Sequence, residues 1–183
     1  MTHKVDWPEG YNSCLIPVVQ GGFQISSDPH VAFTTILGSC VSVCLYDDVM
    51  KIGGMNHYLL ADGPADSTGS LRYAAFAMEL LINALLKNGA SRSRLKAKVF
   101  GGSKMTDLFH DIGKKNSAFA LKYLSDEGMI VLAQDLGGTS ARRINFHPST
   151  GQVRCAKTKD TVEKPARVPK RTDVKPSAPI ELF

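Results

Sequence analysis

The stretch VAFTTILGSCVSVCLYDDVMKIGGMNHYLL, residues 31–60, decides the fold. Residues 31–37 are rich in β-branched and aromatic side chains, which favour a strand. Residues 41–46 alternate apolar and polar side chains with the period of a strand, and residues 52–59 indicate a further strand. This part of the chain therefore predicts three consecutive strands joined by short turns, with Gly38-Ser39-Cys40 at the first junction.

The flanking segments predict more short strands and two main helices. Strands are predicted as a pair around Gly21-Gly22 within 13–26, at 95–100, at 129–136, and as a hairpin of 141–146 with 152–155. The helices are predicted at 71–87, with Ser70 as N-cap, and from a cap at Asn116 or Ser117 to about Gly128. The pattern indicates an α/β protein of the α+β kind, a layered sandwich of mixed, largely antiparallel strands with two main helices.

Length and composition indicate a single domain. The chain has 183 residues, and 43% of them are hydrophobic, which is enough for one core. We predict an irregular N-terminal lead-in at 1–12, a domain at 13–156, and a disordered, basic, proline-rich tail at 157–183. The apolar residues at the end of the tail indicate either a frayed terminus or a short docking motif.

Charge and hydropathy exclude several classes of protein. Residues 157–183 carry +3 of the net charge of +5, so the domain itself is only weakly basic and nucleic-acid binding is not expected. No apolar run approaches the ~20 residues of a membrane-spanning helix. The N-terminus lacks the basic and apolar regions of a secretory signal, so a cytoplasmic protein is expected.

The four cysteines, Cys14, Cys40, Cys44 and Cys155, are too few and too scattered for a disulfide scaffold. Cys40 and Cys44 would lie ~13 Å apart on one strand, at ~3.3 Å per residue. Two ligands of one zinc ion must lie within ~4 Å of each other, given a Zn–S bond of ~2.3 Å. The spacing therefore predicts no zinc site, and we expect neither a metal nor a cofactor.

Cys40 has a candidate base in His57. A tight turn centred between Asp48 and Val49 would set Cys40 opposite His57, with Cβ atoms ~4.5–5.5 Å apart. A cysteine nucleophile needs such a neighbour, because the thiolate is the reactive form. On spacing alone a buried core cysteine and a buried core histidine remain the alternative interpretation.

Two further parts of a catalytic site follow from this hypothesis. Gly38-Ser39 permits a sharp bend that would expose amide N–H groups to an oxyanion, although the sequence does not decide which ones. The imidazole also needs an orienting partner. The candidates are Thr34 and Thr35 on the preceding strand and Asp47 and Asp48 in the turn.

Several blocks of the chain, in order, resemble the CheD family of chemoreceptor glutamine deamidases. They are TTILGSCVSV (34–43), GGMNHYLL (53–60), Arg72-Tyr73-Ala74, VFGGSKM (99–105), DLGG (135–138) and the last hairpin, with Arg142-Arg143, Phe146 and Thr150-Gly151. The resemblance implies Cys40 as the nucleophile, His57 as the general base and Thr34 as the residue that supports the histidine. It also implies a fold related to the catalytic domain of cytotoxic necrotizing factor toxins. One departure is Ala141, where the family usually has glycine.

The resemblance implies a substrate and a partner as well. The substrates would be glutamine side chains of methyl-accepting chemotaxis receptors, converted to glutamate through a thioester during chemotactic adaptation, with methylesterase activity as a side reaction. The partner would be a CheC-type phosphatase. Two other classes stay open, a binding module without catalysis and a transglutaminase or cysteine protease.

Overall fold

The computed structural model describes residues 14–60, 67–105 and 112–158. Its elements, in chain order, are β1 (Cys14–Pro17), β2 (Phe23–Ser26), β3 (Val31–Leu37), β4 (Val41–Asp47), β5 (Ile52–Asn56), α1 (Ser67–Lys87), β6 (Lys96–Gly101), α2 (Ile112–Asp126), β7 (Ile130–Leu136), β8 (Arg142–His147) and β9 (Gln152–Lys157). Within these ranges, no helix combines the length and the apolarity needed to span a membrane.

The strands form two sheets. A four-stranded sheet has the order β1-β3-β8-β9, and a five-stranded sheet has the order β2-β5-β4-β6-β7. We call them the outer sheet and the central sheet. The pairs β1–β3 and β6–β7 are parallel and the other pairs are antiparallel, which confirms the predicted mixed, largely antiparallel sandwich with two helices.

The two helices cover one face of the central sheet, and the outer sheet covers the other. Strand β4 is buried along its whole length, because it lies between these layers. Its residues Val41, Val43 and Leu45 point into the core beneath the helices. Cys44 and Tyr46 point the opposite way, into the core between the sheets, and Cys40 belongs to that second core. The alternation of side chains along β4 therefore places the Cys40 thiol between the two sheets.

The boundaries of the helices and of one turn differ from the prediction. Helix α1 begins at Ser67 rather than 71, and α2 begins at Ile112, so Asn116 is an interior helical residue and not its cap. The β4–β5 ladder pairs Cys44 with Met55 and centres the turn one residue later than predicted. Cap and turn propensities are local, whereas Asn116 and Asp47 make hydrogen bonds to distant parts of the chain that such propensities do not include.

The predicted domain limits fall partly outside the described residues. The whole lead-in at 1–12 and all of the tail beyond Thr158 lie there. The described residues continue past the predicted limit of 156. Strand β9 continues to Lys157, and the Thr158 amide donates to the Ala141 carbonyl.

The β4–β5 turn is held by a buried carboxylate. Asp47 has no exposed side-chain surface, accepts the amides of Val49, Met50 and Ser91, and pairs with Arg94. The Arg94 guanidinium and these amides outweigh burial and hold the pKa of Asp47 well below its usual range. The ionised carboxylate therefore ties the turn to the chain that enters β6.

We expect Asp47→Ala to lower the free energy of unfolding by about 2–4 kcal/mol, because it removes a buried carboxylate that accepts three backbone amides and pairs with Arg94. The depressed pKa means that the contribution of Asp47 is complete above its unfolded pKa of ~3.9 and is lost as the pH falls below it. Urea unfolding at neutral and acidic pH measures both effects. Asp48→Ala is the matched control, since Asp48 pairs with Lys96 at the surface. Equal losses for the two variants would contradict the assignment.

Candidate active site

The thiol of Cys40 is in hydrogen-bonding contact with the imidazole of His57. Sγ of Cys40 lies 2.9 Å from Nε2 of His57, and the two residues are 9% and 7% exposed. Val41 and Tyr58 exchange both backbone hydrogen bonds, so Cys40 and His57 lie diagonally across the ladder instead of directly opposite. The structure therefore brings Cys40 and His57 together, but the residues that lie directly opposite each other are Val41 and Tyr58, one position later on each strand than expected.

The ladder opens locally beside His57. The side-chain oxygen of Asn56 accepts the Val43 amide, and the Ser42 hydroxyl donates to the Asn56 carbonyl, so side chains replace the backbone hydrogen bonds here. On its other side His57 donates its amide to Gly22 and accepts that of Gly21. The backbone of His57 is therefore fixed at a point where the sheet leaves room for its ring.

The imidazole is oriented by Thr35, and the expectation that Thr34 does so is wrong. Oγ1 of Thr35 lies 3.0 Å from Nδ1 of His57. Thr34 is on the opposite face of β3, and its hydroxyl donates to the Ile144 carbonyl. Because side chains alternate along a strand, Thr35 shares its face with Phe33 and Leu37, which line the core between the sheets. That alternation was the signal in the sequence that distinguishes the two threonines.

The turn aspartates do not contact the imidazole. Asp47 is engaged with Arg94 and Asp48 with Lys96, at the far end of the β4–β5 hairpin. The polar neighbours of His57 Nδ1 among the described residues are uncharged, so none of them is a carboxylate that would stabilise the protonated ring.

The hydrogen bonds around Nδ1 select one tautomer of His57. The Thr35 hydroxyl donates to the Val18 carbonyl at 3.0 Å, so its oxygen is free to accept. The Val18 carbonyl, 3.3 Å from Nδ1, can only accept. Both neighbours therefore require a proton on Nδ1, and Nε2 keeps the lone pair that faces the Cys40 thiol.

Burial favours the neutral forms of both groups. It raises the pKa of the Cys40 thiol, and the amides of Gly38 and of Cys40 itself oppose this only in part. Burial likewise lowers the pKa of His57, against the effect of the Val18 carbonyl. The resting pair is a thiol and a neutral imidazole, poised to transfer one proton along a short hydrogen bond.

The loop that carries the thiol is fixed by three hydrogen bonds to its carbonyl oxygens. The Gly38 carbonyl accepts the Ser103 amide, the Cys40 carbonyl accepts the Gly102 amide, and the Ser39 carbonyl accepts Nδ2 of Asn116. Gly101 lies against this loop with φ +118°, and a Cβ there would overlap the Cys40 carbonyl. Asn116 is a contributor that sequence reasoning missed, since it was interpreted as a helix cap.

The other cysteines have different surroundings. Cys14 and Cys155 are exposed free thiols, and Cys44 is a buried free thiol in the core between the sheets. Burial raises the pKa of Cys44 far above the usual range. In the part of the chain that the structure describes, no group of three or more His, Cys, Asp or Glu residues could hold a metal ion.

Ala141 fits its position without strain. Lys51 is the one non-glycine residue with positive φ among the described residues, so the backbone at Ala141 suits an L-residue. The side chain is buried, and its carbonyl accepts the Thr158 amide. The departure from the usual glycine therefore leaves this loop undistorted.

Comparison with known proteins identifies close relatives. A family model described as CheD chemotactic sensory transduction matches residues 59–157. The chain is 52% identical to a probable chemoreceptor glutamine deamidase CheD of Zymomonas mobilis, over 76% of this chain and 78% of the relative. It is 49% identical to a protein named probable chemoreceptor glutamine deamidase CheD 1 from a Ruegeria species, over 76% and 75% of the two chains.

One solved structure has a distant likeness to the fold. It is the crystal structure of a Neisseria meningitidis protein of the DUF152 family, with 14% identity and a TM-score of 0.42. The match covers 70% of this chain and 64% of the other. The likeness is too distant to inform the site.

Thr35→Val and Thr34→Val form a matched pair that tests the orienting contact. We expect Thr35→Val to slow alkylation of Cys40 by iodoacetamide about tenfold at neutral pH, because Nδ1 loses the oxygen that fixes its tautomer. Thr34→Val should leave the rate within about twofold. Peptide mapping by mass spectrometry isolates the reaction of Cys40 from those of the exposed cysteines. A slower reaction in Thr34→Val than in Thr35→Val would contradict the assignment.

Proposed function

This chain belongs to the CheD family, and we propose from that membership and from its site that it is a deamidase of glutamine side chains on chemoreceptors. The observation that carries the proposal is the contact of 2.9 Å between Sγ of Cys40 and Nε2 of His57. Acyl transfer from an amide to water requires a nucleophile with an adjacent base, and these two atoms supply both.

In the first half of the proposed reaction, Nε2 of His57 takes the thiol proton as Sγ of Cys40 attacks the glutamine amide carbon. The carbonyl π electrons move onto oxygen and form a tetrahedral intermediate. The imidazolium then gives its proton to the amide nitrogen, the C–N bond breaks, and ammonia leaves. The thioester on Cys40 that remains keeps the acyl group of the side chain.

In the second half, neutral His57 removes a proton from water as the water oxygen attacks the thioester carbon. The C–S bond breaks, the thiolate regains the proton from the imidazolium, and a glutamate side chain is released. Thr35 supports both halves, because its oxygen accepts a hydrogen bond from Nδ1–H whether the ring is neutral or protonated. It provides less charge stabilisation than a carboxylate would, which suits a base that must release its proton in each half.

The proposed substrates are methyl-accepting chemotaxis receptors, and the product carries a new carboxylate. That change in charge creates a group that can be methylated, which gives the reaction a part in chemotactic adaptation. The same thioester would form from a glutamate methyl ester with loss of methanol, so methylesterase activity is part of the proposal. A CheC-type phosphatase as partner stays a prediction from the family resemblance.

Intact mass of a receptor cytoplasmic fragment tests the proposed activity. Wild-type protein should add about one dalton per modified glutamine, because OH replaces NH2, and Cys40→Ala should add none. His57→Ala should turn over about 10²–10⁴-fold more slowly. The controls Cys14→Ala and His30→Ala remove exposed residues of the same types and should retain activity. Crosslinked or cleaved receptor, or deamidation by folded Cys40→Ala, would contradict the proposal.

The pH profile tests the neutral resting pair. Because burial lowers the pKa of His57 from 6.5, the neutral base persists into mildly acidic solution. We expect kcat/KM for deamidation to stay constant from pH 8 downward and to fall only below about 6.5, as His57 becomes protonated. A thiolate–imidazolium pair would instead lose kcat/KM toward alkaline pH, as the raised histidine pKa is passed and the imidazolium loses its proton. A fall in kcat/KM on acidification that begins above pH 6.5 would contradict the lowered pKa of His57, and a constant acid limb with an alkaline fall would favour the ion pair.

A further inference from the structure

The peptide between Ser39 and Cys40 is held from a helix that contributes no side chain to the Cys40–His57 contact. Nδ2 of Asn116, in α2, donates to the Ser39 carbonyl at 3.0 Å. Oδ1 of the same amide accepts the Leu60 amide at 2.8 Å. Asn116 is fully buried, so water does not compete for either hydrogen bond. The donor and the acceptor of the Asn116 amide are therefore both bound to backbone groups that lie between α2 and the central sheet.

Because the peptide bond between Ser39 and Cys40 is trans, the hydrogen bond to the Ser39 carbonyl also fixes the direction of the Cys40 N–H. No described peptide bond is cis, so the Cys40 N–H points opposite to the Ser39 carbonyl. The carbonyl points toward α2, so the N–H of Cys40 points away from the helix. Within the described ranges, no carbonyl or side-chain oxygen accepts a hydrogen bond from the Ser39 or Cys40 amide. These amides are therefore available to donate a hydrogen bond to a substrate oxygen beside the Cys40 sulfur.

We propose that Asn116 is a positioning residue for acyl transfer, which aims the Cys40 amide at the oxygen of the tetrahedral intermediate. The inference rests on the proposed deamidase function. In the attack, the S–C bond forms while the carbonyl π bond breaks, and the negative charge appears on oxygen. A preorganised N–H donor at that oxygen stabilises the intermediate more than the planar amide substrate, and so accelerates the reaction.

The chemistry of asparagine suits this role. Asparagine is unfavourable inside a helix, because its amide competes for local backbone groups. At this position the donor and the acceptor of the amide both have distant partners, which an apolar residue of similar size would leave without hydrogen bonds. Docking of the helix itself has a separate contact, since the Tyr58 hydroxyl donates to the Asn116 backbone carbonyl. The Tyr58 hydrogen bond that docks α2 and the Asn116 side-chain hydrogen bond that orients the Cys40 amide are thus different contacts, and each can be removed separately.

Kinetics of two Asn116 variants test the proposal against a structural role. Asn116→Leu removes both side-chain hydrogen bonds without adding charge, and Asn116→Asp keeps an acceptor for the Leu60 amide but loses the donor. We expect kcat for a glutamine-containing receptor fragment to fall about 10- to 100-fold in each, with KM nearly constant. Tyr58→Phe is the control, because it weakens the contact of α2 with the sheet but leaves the Ser39 carbonyl bound. It should lower thermal stability while kcat stays within about twofold.

Alkylation by iodoacetamide separates positioning from nucleophile activation. This displacement develops no oxyanion, so it needs the thiolate but not the aimed amide. We expect the plateau rate at high pH, where Cys40 is fully ionised in every variant, to stay within about twofold of wild type. Loss of kcat together with an equal loss of the plateau rate would overturn the proposal, as would folded variants that retain kcat.

A peptide aldehyde gives a readout that does not need turnover. With a ¹³C-labelled aldehyde carbon in place of the glutamine amide carbon, thiol addition forms an S–C bond, and the aldehyde oxygen takes the proton. The resulting hemithioacetal should be about 10- to 100-fold weaker in both Asn116 variants, measured by ¹³C NMR. Equal affinity in all proteins would overturn the proposal. The wild-type protein could deamidate no receptor while both Asn116 variants still bind the aldehyde more weakly. That result would contradict the proposed function and support the role of Asn116.

Discussion

The pair of backbone hydrogen bonds between Val41 and Tyr58 fixes the geometry of the site. It lies one residue beyond Cys40 on one strand and one residue beyond His57 on the other, after the regular β4–β5 ladder has ended. Because side chains alternate along a strand, the flanking residues must then lie on one face, opposite to Val41 and Tyr58. The same contact buries Val41 and Tyr58 beneath the helices. The packing of the helical layer and the approach of thiol to imidazole thus depend on one register.

Burial between the sheets determines the electrostatics of the pair. A dry site penalises charge on either group, so the pKa of the thiol rises and that of the imidazole falls. The neighbours of Nδ1 are a hydroxyl and a carbonyl, which fix the ring without stabilising an imidazolium strongly. Such a site favours attack coupled to proton transfer over a stored thiolate. Within the described ranges, the thiols of the exposed Cys14 and Cys155 make no hydrogen bond to a histidine ring, and the buried Cys44 belongs to the apolar core.

The strand pattern and the Cys40–His57 pair were predictable, because both follow from a period of two residues along a short hairpin. The shift of the turn by one residue preserved the pairing, since it moved both partners to a diagonal on the same face. Thr34 and Thr35 lie on opposite faces, so this choice required knowing which face of β3 meets the core. Phe33 and Leu37 carried that information in the sequence. Asn116 carried no such signal, because its partners Ser39 and Leu60 are 77 and 56 residues away.

The position of Asn116 follows from the topology of the central sheet. Strands β6 and β7 are parallel neighbours, so the chain between them must cross over one face of the sheet, and α2 makes that connection. Helix α2 packs on β4, β6 and β7, which places it beside the start of β4, where the thiol loop lies. Gly101 and Gly102, at the end of β6, bring the same connection against the Cys40 carbonyl. A hairpin from β6 to β7 would supply no helix at this position. The parallel pair is therefore what allows one asparagine to reach the peptide that carries the nucleophile.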